Sequence, residues 1–463
     1  MFDLSSEMEN FYNEEVVLSG ETQTDLHKKR KLNVDRLNAG LKEYNEENKT
    51  SYKVAYTVTQ GSIAMHTAVQ NDKFDYDIDV AIIFDKDNID NLGTQAIKTI
   101  VVDALKRKCT GFSVAPEAKT NCVRIVYSTG YHVDFAIYRR IKQYDGSFEY
   151  EHAGSYWRSR DPKAITNWFK DEVKAKGKIL RQVVRLLKMF SKSRDNWEMP
   201  GGLIQTVLCD EVDLSPYTRL DEAFYYCIKA IRDRIICNKE VHNPTDASLS
   251  LLLRQSDKDK LENLYSRLNT YIGKLDPLFN DECDKSTAYN VWNNFFDHDY
   301  WSAEGMNESS TCFSQSILSY RANNIIGYRN DEEFIEDLVP VEESHSVKIT
   351  CEGKADGFRQ HPLAYIVSMF RGAIPQNLSL DFSATNCTEP LPDAIWWKVK
   401  NVGPEAKRRD NMRGQIITED FYKHTEHTKF KGPHYVECYV IKNGVCIALD
   451  HLEVPIGTQT IDE

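Results

Sequence analysis

Asp75-Tyr76-Asp77-Ile78-Asp79-Val80-Ala81-Ile82-Ile83-Phe84, preceded by Gln60-Gly61-Ser62, combines an apolar run with closely spaced acids. On a β-strand, residues two apart point to the same face. Asp77 and Asp79 therefore share one face of a strand otherwise rich in Ile and Val. Like charges on such a strand repel each other and resist burial. A divalent cation removes both objections, since Mg²⁺ takes carboxylate, phosphate and water oxygens. The pair beside a small Gly-Ser turn has the outline of a phosphoryl-transfer site. An Asp-x-Asp alone is a weak signal, because acidic pairs at strand ends are common. A third acid shifts the balance. Tyr131-His132-Val133-Asp134-Phe135-Ala136-Ile137-Tyr138 reads as another strand, with Val133, Phe135 and Ile137 on one face and Asp134 on the other. Three acids on neighbouring strands can hold two metal ions about 3.5–4 Å apart, which activate a hydroxyl nucleophile and stabilise leaving pyrophosphate.

Gln60-Gly61-Ser62-Ile63-Ala64-Met65-His66-Thr67, then Asp77-x-Asp79, then Asp134, resembles the DNA polymerase β-like nucleotidyltransferases. Within them the pattern is most similar to the CD-NTases of the SMODS type, the bacterial relatives of cGAS and DncV that make nucleotide second messengers in anti-phage defence. Arg185-Leu186-Leu187-Lys188 and Met199-Pro200-Gly201-Gly202-Leu203-Ile204-Gln205-Thr206 resemble the helical half of that family. The second motif usually reads Pro-Ser-Gly there, and Gly201 stands in place of the serine. The resemblance covers roughly residues 30–330. It implies Asp77, Asp79 and Asp134 as catalytic acids and metal ligands, with two Mg²⁺ ions, or Mn²⁺, as cofactor. It also implies Gln60, Gly61, Ser62 and Lys188 as nucleotide-binding residues, with Arg185 and Lys192 as further candidates.

At 463 residues the chain exceeds what one hydrophobic core usually serves. No apolar run of about eighteen residues suits a membrane span. Met1-Phe2-Asp3-Leu4-Ser5-Ser6-Glu7 lacks the basic and apolar regions of a secretory signal. Eleven scattered cysteines without a Cys-x-x-Cys read as reduced thiols in a cytoplasm, and the resemblance implies a bacterial one. A net charge of −12 argues against constitutive grip on a long nucleic acid, which needs a broad basic surface.

The periodicity predicts an α+β protein. Glu7 to Leu18 and Thr24 to Asn48 read as helices, and Lys28-Lys29-Arg30-Lys31 reads as a solvated helix face. Residues 52–150 alternate strands with a helix near 94–109, and Gly61-Ser62 opens a helix after the strand Lys53 to Val58. Helix starts expose unpaired N–H groups, and glycine allows close backbone approach, so a triphosphate fits there. Residues 164–330 are helical in pattern. On Lys178 to Lys192, Arg181, Arg185, Lys188 and Lys192 fall in one stripe beside a broad apolar face. Val241-His242-Asn243-Pro244 reads as a turn before a helix, and Tyr217, Tyr225 and Tyr226 are candidates for stacking on a base.

The pattern becomes β-rich after about 335–350. Val436 to Ile441, Asn443-Gly444 and Val445 to Leu449 read as a hairpin with a type I′ turn. Together with Ile395-Trp396-Trp397-Lys398, Arg413-Gly414-Gln415-Ile416 and Phe430-x-Gly432-x-His434-Tyr435, this region resembles the AGS-C domain, a β-sandwich-like sensor, over roughly 360–455. One of Trp396 and Trp397 is expected in the core and the other exposed. The expected domains are a catalytic core with N-terminal helices over 1–165, a helical lobe over 166–340 and the AGS-C-like domain over 350–463.

The resemblance implies template-independent polymerisation of nucleoside triphosphates into a signalling oligonucleotide, commonly a cyclic di- or trinucleotide, read by a downstream effector. A linear oligonucleotide such as oligodeoxyadenylate, and nucleotide transfer onto RNA or protein, are the alternatives. The C-terminal domain is expected to shape synthesis without performing it.

Overall fold

The computed structural model describes residues 1–71, 75–89, 91–302, 332–354, 359–409, 411–418 and 422–457. The end of the expected helical region, 303–331, lies outside the described residues.

The N-terminal half is built on a seven-stranded sheet. Its strands are β1 (Val54–Thr59), β2 (Asp77–Asp85), β3 (Glu117–Ala118), β4 (Val123–Val126), β5 (His132–Lys142), β6 (Phe148–Ala153) and β7 (Trp157–Ser159). The order is β1-β2-β5-β4-β3, with β6 also pairing β5 and β7 pairing β6. Only β2 and β5 are parallel; the other pairs are antiparallel. Alternation sorts the side chains. Ile78, Val80, Ile82 and Phe84 join Val133, Phe135 and Ile137 in a buried cluster. Helices α2 (Gly20–Asn48) and α4 (Thr94–Lys108) close that cluster through Leu37, Leu41, Ile97 and Val101. Asp77, Asp79 and Asp134 are thereby left on the opposite face, with Ala81, Ile83 and Tyr138 farther along it.

The first helix, α1 (Ser5–Phe11), continues as a π-helical turn over Tyr12–Val16. Leu4, Met8, Phe11 and Val16 pack into the helical lobe, away from the sheet. That lobe comprises α5 (Ala164–Lys176), α6 (Lys178–Lys192), α7 (Gly202–Asp210), α8 (Leu220–Cys237), α9 (Gln255–Gly273) and α10 (Lys285–Phe296). Helix α6 is buried on most of its circumference, which is why even its basic stripe is largely covered. The expected turn at Val241–Pro244 is a small hairpin, β8 (His242–Asn243) against β9 (Asp246–Ser250).

The C-terminal region is two four-stranded antiparallel sheets packed face to face. One holds β10 (Lys348–Lys354), β11 (His361–Pro362), β12 (Ser379–Thr385) and β15 (Lys423–His427). The other holds β13 (Ala394–Asn401), β14 (Arg413–Ile417), β16 (Gly432–Lys442) and β17 (Val445–Ile456). Ile349, Cys351, Leu380 and Phe382 meet Ile395, Trp397, Val436 and Val440 between them. The β16–β17 turn has Asn443 and Gly444 at φ 52° and 71°, as a type I′ turn requires. Trp397 is buried at 1% exposure, while Trp396, one residue earlier, packs partly covered against the cluster that holds Ile335 and Tyr439.

The two halves meet through residues 332–344. Short helix α11 (Ile335–Leu338) packs Ile335 on Ile416, Tyr439 and Cys446 of the C-terminal sheet. A few residues later, Glu343 pairs antiparallel with Thr57, extending the β1 edge of the seven-stranded sheet by exchanged N–H···O bonds of 3.1 Å. Arg30 and Lys31 of the basic run on α2 therefore form a docking surface, where the sequence led to the expectation of a solvated face for the whole run. Arg30 is 5% exposed and bidentate on Glu343, Lys31 lies 3.7 Å from Asp450, and Lys29 pairs with Asp25. Lys28 alone of the four remains exposed.

Candidate active site

Parallel pairing sets Asp79 directly opposite Asp134, and Asp77 opposite His132. The strand ends thus carry three acids on one face, at the floor of a cleft of about 670 Å³ between the sheet and the helical lobe. Burial pushes the Asp79 carboxyl up to about 6, and the charges of Asp77 and Asp134 add to the shift. Asp134 is 8% exposed, with both oxygens engaged by Arg124: Nε to Oδ1 at 2.8 Å and Nη2 to Oδ2 at 2.5 Å. Arg124 is the cross-strand partner of Asp134 on β4, so the two side chains share a face. Asp77 is exposed, with His132 Nδ1 3.2 Å from its Oδ1.

Gly61 opens a single helical turn, α3 (Gly61–Ala64), after β1. Its backbone sits at φ +65°, and a Cβ there would lie 2.1 Å from Asp79 Oδ2. Only glycine lets the turn approach the acids so closely. The Gln60 N–H donates to the Asp79 carbonyl at 2.8 Å, and its side-chain amide donates to the Pro162 carbonyl. The Ser62 carbonyl accepts from the N–H groups of Thr67 at 2.8 Å and Ala68 at 3.2 Å, so Gly61–Ala68 forms a compact loop. The helix is one turn long, so its leading N–H groups are more useful to a phosphate than any macrodipole.

The basic stripe of α6 divides between two cavities. Lys188 and Lys192 line the cleft. Lys188, 7% exposed, donates to Thr67 Oγ1 at 2.7 Å and to its carbonyl at 3.1 Å. Burial and the nearby Arg185 charge bring its ammonium down to about 7. Lys192 reaches Asp75 at 3.2 Å. Arg185 instead donates to the Tyr12 hydroxyl at 2.7 Å and lines a second, smaller cavity toward the C-terminal domain. Arg181 faces the same way, 3.7 Å from Asp337. Gly202, in the Pro-Gly-Gly motif, lies against Lys188: a Cβ there would stand 3.1 Å from Cε and 3.2 Å from Nζ. A Cβ on Gly201 would meet open space.

Of the sequence candidates, Gln60, Gly61, Ser62, Asp77, Asp79, Asp134, Lys188 and Lys192 share the cleft. Tyr217, Tyr225 and Tyr226 do not line it; Tyr217 and Tyr226 stack on each other at 4.8 Å. Among the described residues, Tyr76, Tyr138, His152 and Trp197 are the aromatic rings in the cleft wall. Sequence reasoning also passed over Arg124 and Arg160. The first had a signal, a basic residue within the apolar strand Val123-Arg124-Ile125-Val126.

The donor set suits a hard divalent cation, although its orientation here is not a ready cage. Among the described residues, no three His, Cys, Asp or Glu side chains converge as a metal-binding group. Asp134 is turned onto Arg124 and Asp77 toward His132. The fit rests on the chemistry: the repulsion and burial that raise Asp79 are what a cation would relieve, and the open cleft leaves room for phosphate and water oxygens.

Two family models match the chain. "Cyclic GMP-AMP synthase DncV-like, nucleotidyltransferase domain" matches residues 55–138, and "Adenylyl/Guanylyl and SMODS C-terminal sensor domain" matches 329–457. A cyclic GMP-AMP synthase of Escherichia albertii is 22% identical over 458 residues, covering 94% of this chain and 93% of that protein. Among solved structures, Vibrio cholerae DncV in its GTP-bound form aligns with a TM-score of 0.52 at 18% identity, over 64% of this chain and 95% of that one. The structure of Vibrio cholerae DncV cyclic AMP-GMP synthase, a prokaryotic cGAS homolog, aligns with a TM-score of 0.51 at 16% identity, over 64% and 96%.

Proposed function

The chain is a CD-NTase nucleotidyltransferase carrying a C-terminal AGS-C domain, and from that premise we propose that it polymerises nucleoside triphosphates, without a template, into a short signalling oligonucleotide of the cyclic di- or trinucleotide type. The observation that carries this reading is the register of β2 and β5, which places Asp79 opposite Asp134 beneath the Gly61–Ser62 turn. An anti-phage role and a downstream effector that binds the product belong to the same reading.

Asp77, Asp79 and Asp134 would hold two Mg²⁺ ions, or Mn²⁺. When bound, such ions supply Lewis-acid activation of the attacking ribose hydroxyl and charge neutralisation on the leaving pyrophosphate. The chain's own groups do the positioning. The N–H groups at Gly61 and Ser62 face the donor phosphates. Lys188, perched on Thr67, offers its ammonium to the same phosphates, and Lys192 stands at the exposed rim of the cleft. Trp197, half-buried, gives the wall an apolar face against which a base can lie, while Tyr76 and Tyr138 are buried behind the cleft surface.

The test is incubation of the purified full chain with labelled nucleoside triphosphates and Mg²⁺ alone, with products identified by mass spectrometry. Messenger synthesis needs no added acceptor. Label that appears only when RNA or protein is supplied would replace this reading with nucleotide transfer onto that acceptor. A linear product would keep the chemistry and change the messenger.

A further inference from the structure

We propose that His66 is a positioning residue for the donor triphosphate, held by Phe334 and Glu336, so that the seating of the C-terminal domain sets how tightly the nucleotide is bound. The inference rests on the nucleotidyltransferase reading and names the regulation of that same site.

His66 ends the Gly61–Ser62 turn at φ 51°, a left-handed conformation uncommon for a residue with a side chain. Such conformations persist where the surroundings over-determine them. Here the surroundings come from Phe334 and Glu336, where the two halves meet. The imidazole stacks on the Phe334 ring, with centroids 3.6 Å apart and planes 16° from parallel. Its Nε2 lies 3.1 Å from Glu336 Oε2. Phe334 is itself flanked by two cations, Arg181 of α6 at 5.0 Å and Lys398 of β13 at 5.1 Å.

The anchor reaches the nucleotide site through short steps. The His66 N–H donates to the Ile63 carbonyl, closing the turn that begins at Gly61. The next residue, Thr67, ties back to Ser62 and supplies both acceptors for Lys188. A shift of His66 therefore moves the phosphate-facing N–H groups and the lysine together.

The anchor belongs to the C-terminal domain rather than to the catalytic core. Glu332 pairs with Lys398 at 2.8 Å and accepts from the Tyr435 hydroxyl at 2.7 Å. The Glu333 carboxylate accepts from the Ile416 N–H at 2.9 Å. Lys398, 3% exposed, also pairs with Glu437 at 3.2 Å. Behind the turn lies a cavity of about 150 Å³ bounded by both halves, Ser62, Ile63 and His66 on one side and Phe334, Glu336 and Lys398 on the other. On the far side the turn is packed through Met65 on the helical lobe and through Ile63 and Ala68 on the sheet core, so these side chains back the side that faces the C-terminal domain. Arg185 on the cavity wall has a buried Nε without a hydrogen-bond partner among the described residues, and the α6 stripe borders the same space.

The experiment uses full-length variants and reads binding separately from turnover. Phe334→Ala and His66→Gly remove the stack, the second without backbone strain; Phe334→Tyr keeps the ring. Melting is checked first, and Phe334→Leu replaces Phe334→Ala if the latter is unstable. Binding of a non-hydrolysable nucleoside triphosphate is measured by calorimetry, and KM and kcat for the donor are measured where turnover occurs. The stack-removing variants should weaken nucleotide binding and raise KM by about 3–30-fold with kcat nearly unchanged, and Phe334→Tyr should restore both. Wild-type affinity in folded Phe334→Ala and His66→Gly would overturn the proposal, as would a loss confined to kcat. A wild-type protein that binds nucleotide but makes no product from triphosphates alone would defeat the messenger reading, while the binding comparison would still decide this one.

Discussion

Asp79 and Lys188 are two charged side chains held where their charge is disfavoured, and each discomfort matches a ligand of opposite sign. Asp79 is raised by burial and by two neighbouring acids, Lys188 lowered by burial and by Arg185. Replacing Asp77 and Asp79 together by Asn removes two metal-binding charges at nearly constant volume. We expect nucleotide incorporation to fall to background while circular dichroism and melting show a folded protein. For Lys188 the sign follows from its lowered value. In the free protein it is charged below about pH 7 and increasingly neutral above it. A triphosphate favours the charged form, so binding above pH 7 must take up a proton. Affinity for a non-hydrolysable triphosphate should fall by up to about tenfold per pH unit between pH ~7 and ~9. Calorimetry in buffers of different ionisation enthalpy should report the uptake of close to one proton. In Lys188→Arg, which stays charged, the slope should flatten; an unchanged slope would assign the proton to another group.

Helix α6 shows how one element serves two surfaces. The periodicity of Lys178–Lys192 is legible in sequence, and so is its basic stripe. What faces each cation is not, because Tyr12, the pair Thr67 and Asp75, and Asp337 come from three separate parts of the chain. The start of α7 bears on the same lysine. At Gly202 an added Cβ crowds the Lys188 tip, whereas at Gly201 it meets nothing. Gly202→Ala should therefore displace the ammonium and weaken triphosphate binding several-fold, on the order of 1 kcal/mol, with stability unchanged or slightly raised by the better helix former. Gly201→Ala should leave nucleotide affinity at the wild-type value. Equal affinities in the two variants would show that the lysine tip yields without consequence.

Between the two halves, the β1 edge and the basic run of α2 are covered by residues that a cut near Val339 would remove. Glu343 leaves Thr57 and Arg30 together, and Lys31 loses Asp450. The separation of chemistry from its control is therefore better probed by substitution at the interface than by truncation. The Arg30–Glu343 pair has side chains only 6% and 14% exposed. Arg30→Ala leaves the half-buried Glu343 carboxylate unpaired and should cost up to about 3 kcal/mol, whereas Arg30→Met with Glu343→Leu should cost much less, because no charge is left unpaired. Chemical denaturation measures both. Limited proteolysis should cut the linker faster in Arg30→Ala than in the double variant. A single mutant as stable as wild type would mean that the two halves do not depend on this contact.

The local order of this chain is written in its local pattern. Alternation places Asp77 and Asp79 on one face and Asp134 opposite Val133 and Phe135, and these faces appear in the sheet. The Asn443-Gly444 hairpin and the α6 helix follow equally from neighbours a few residues apart, because backbone dihedrals and side-chain periodicity are short-range properties. The bringing together of distant partners belongs to the tertiary structure. The register that sets Asp79 against Asp134 depends on parallel pairing of strands 55 positions apart, and the same sheet delivers Arg124 to Asp134. The basic run at Lys28–Lys31 carries no local mark to separate a docking surface from a solvated one. The acid that buries Arg30 lies 313 residues away and reaches it only because both halves have first buried their own apolar faces.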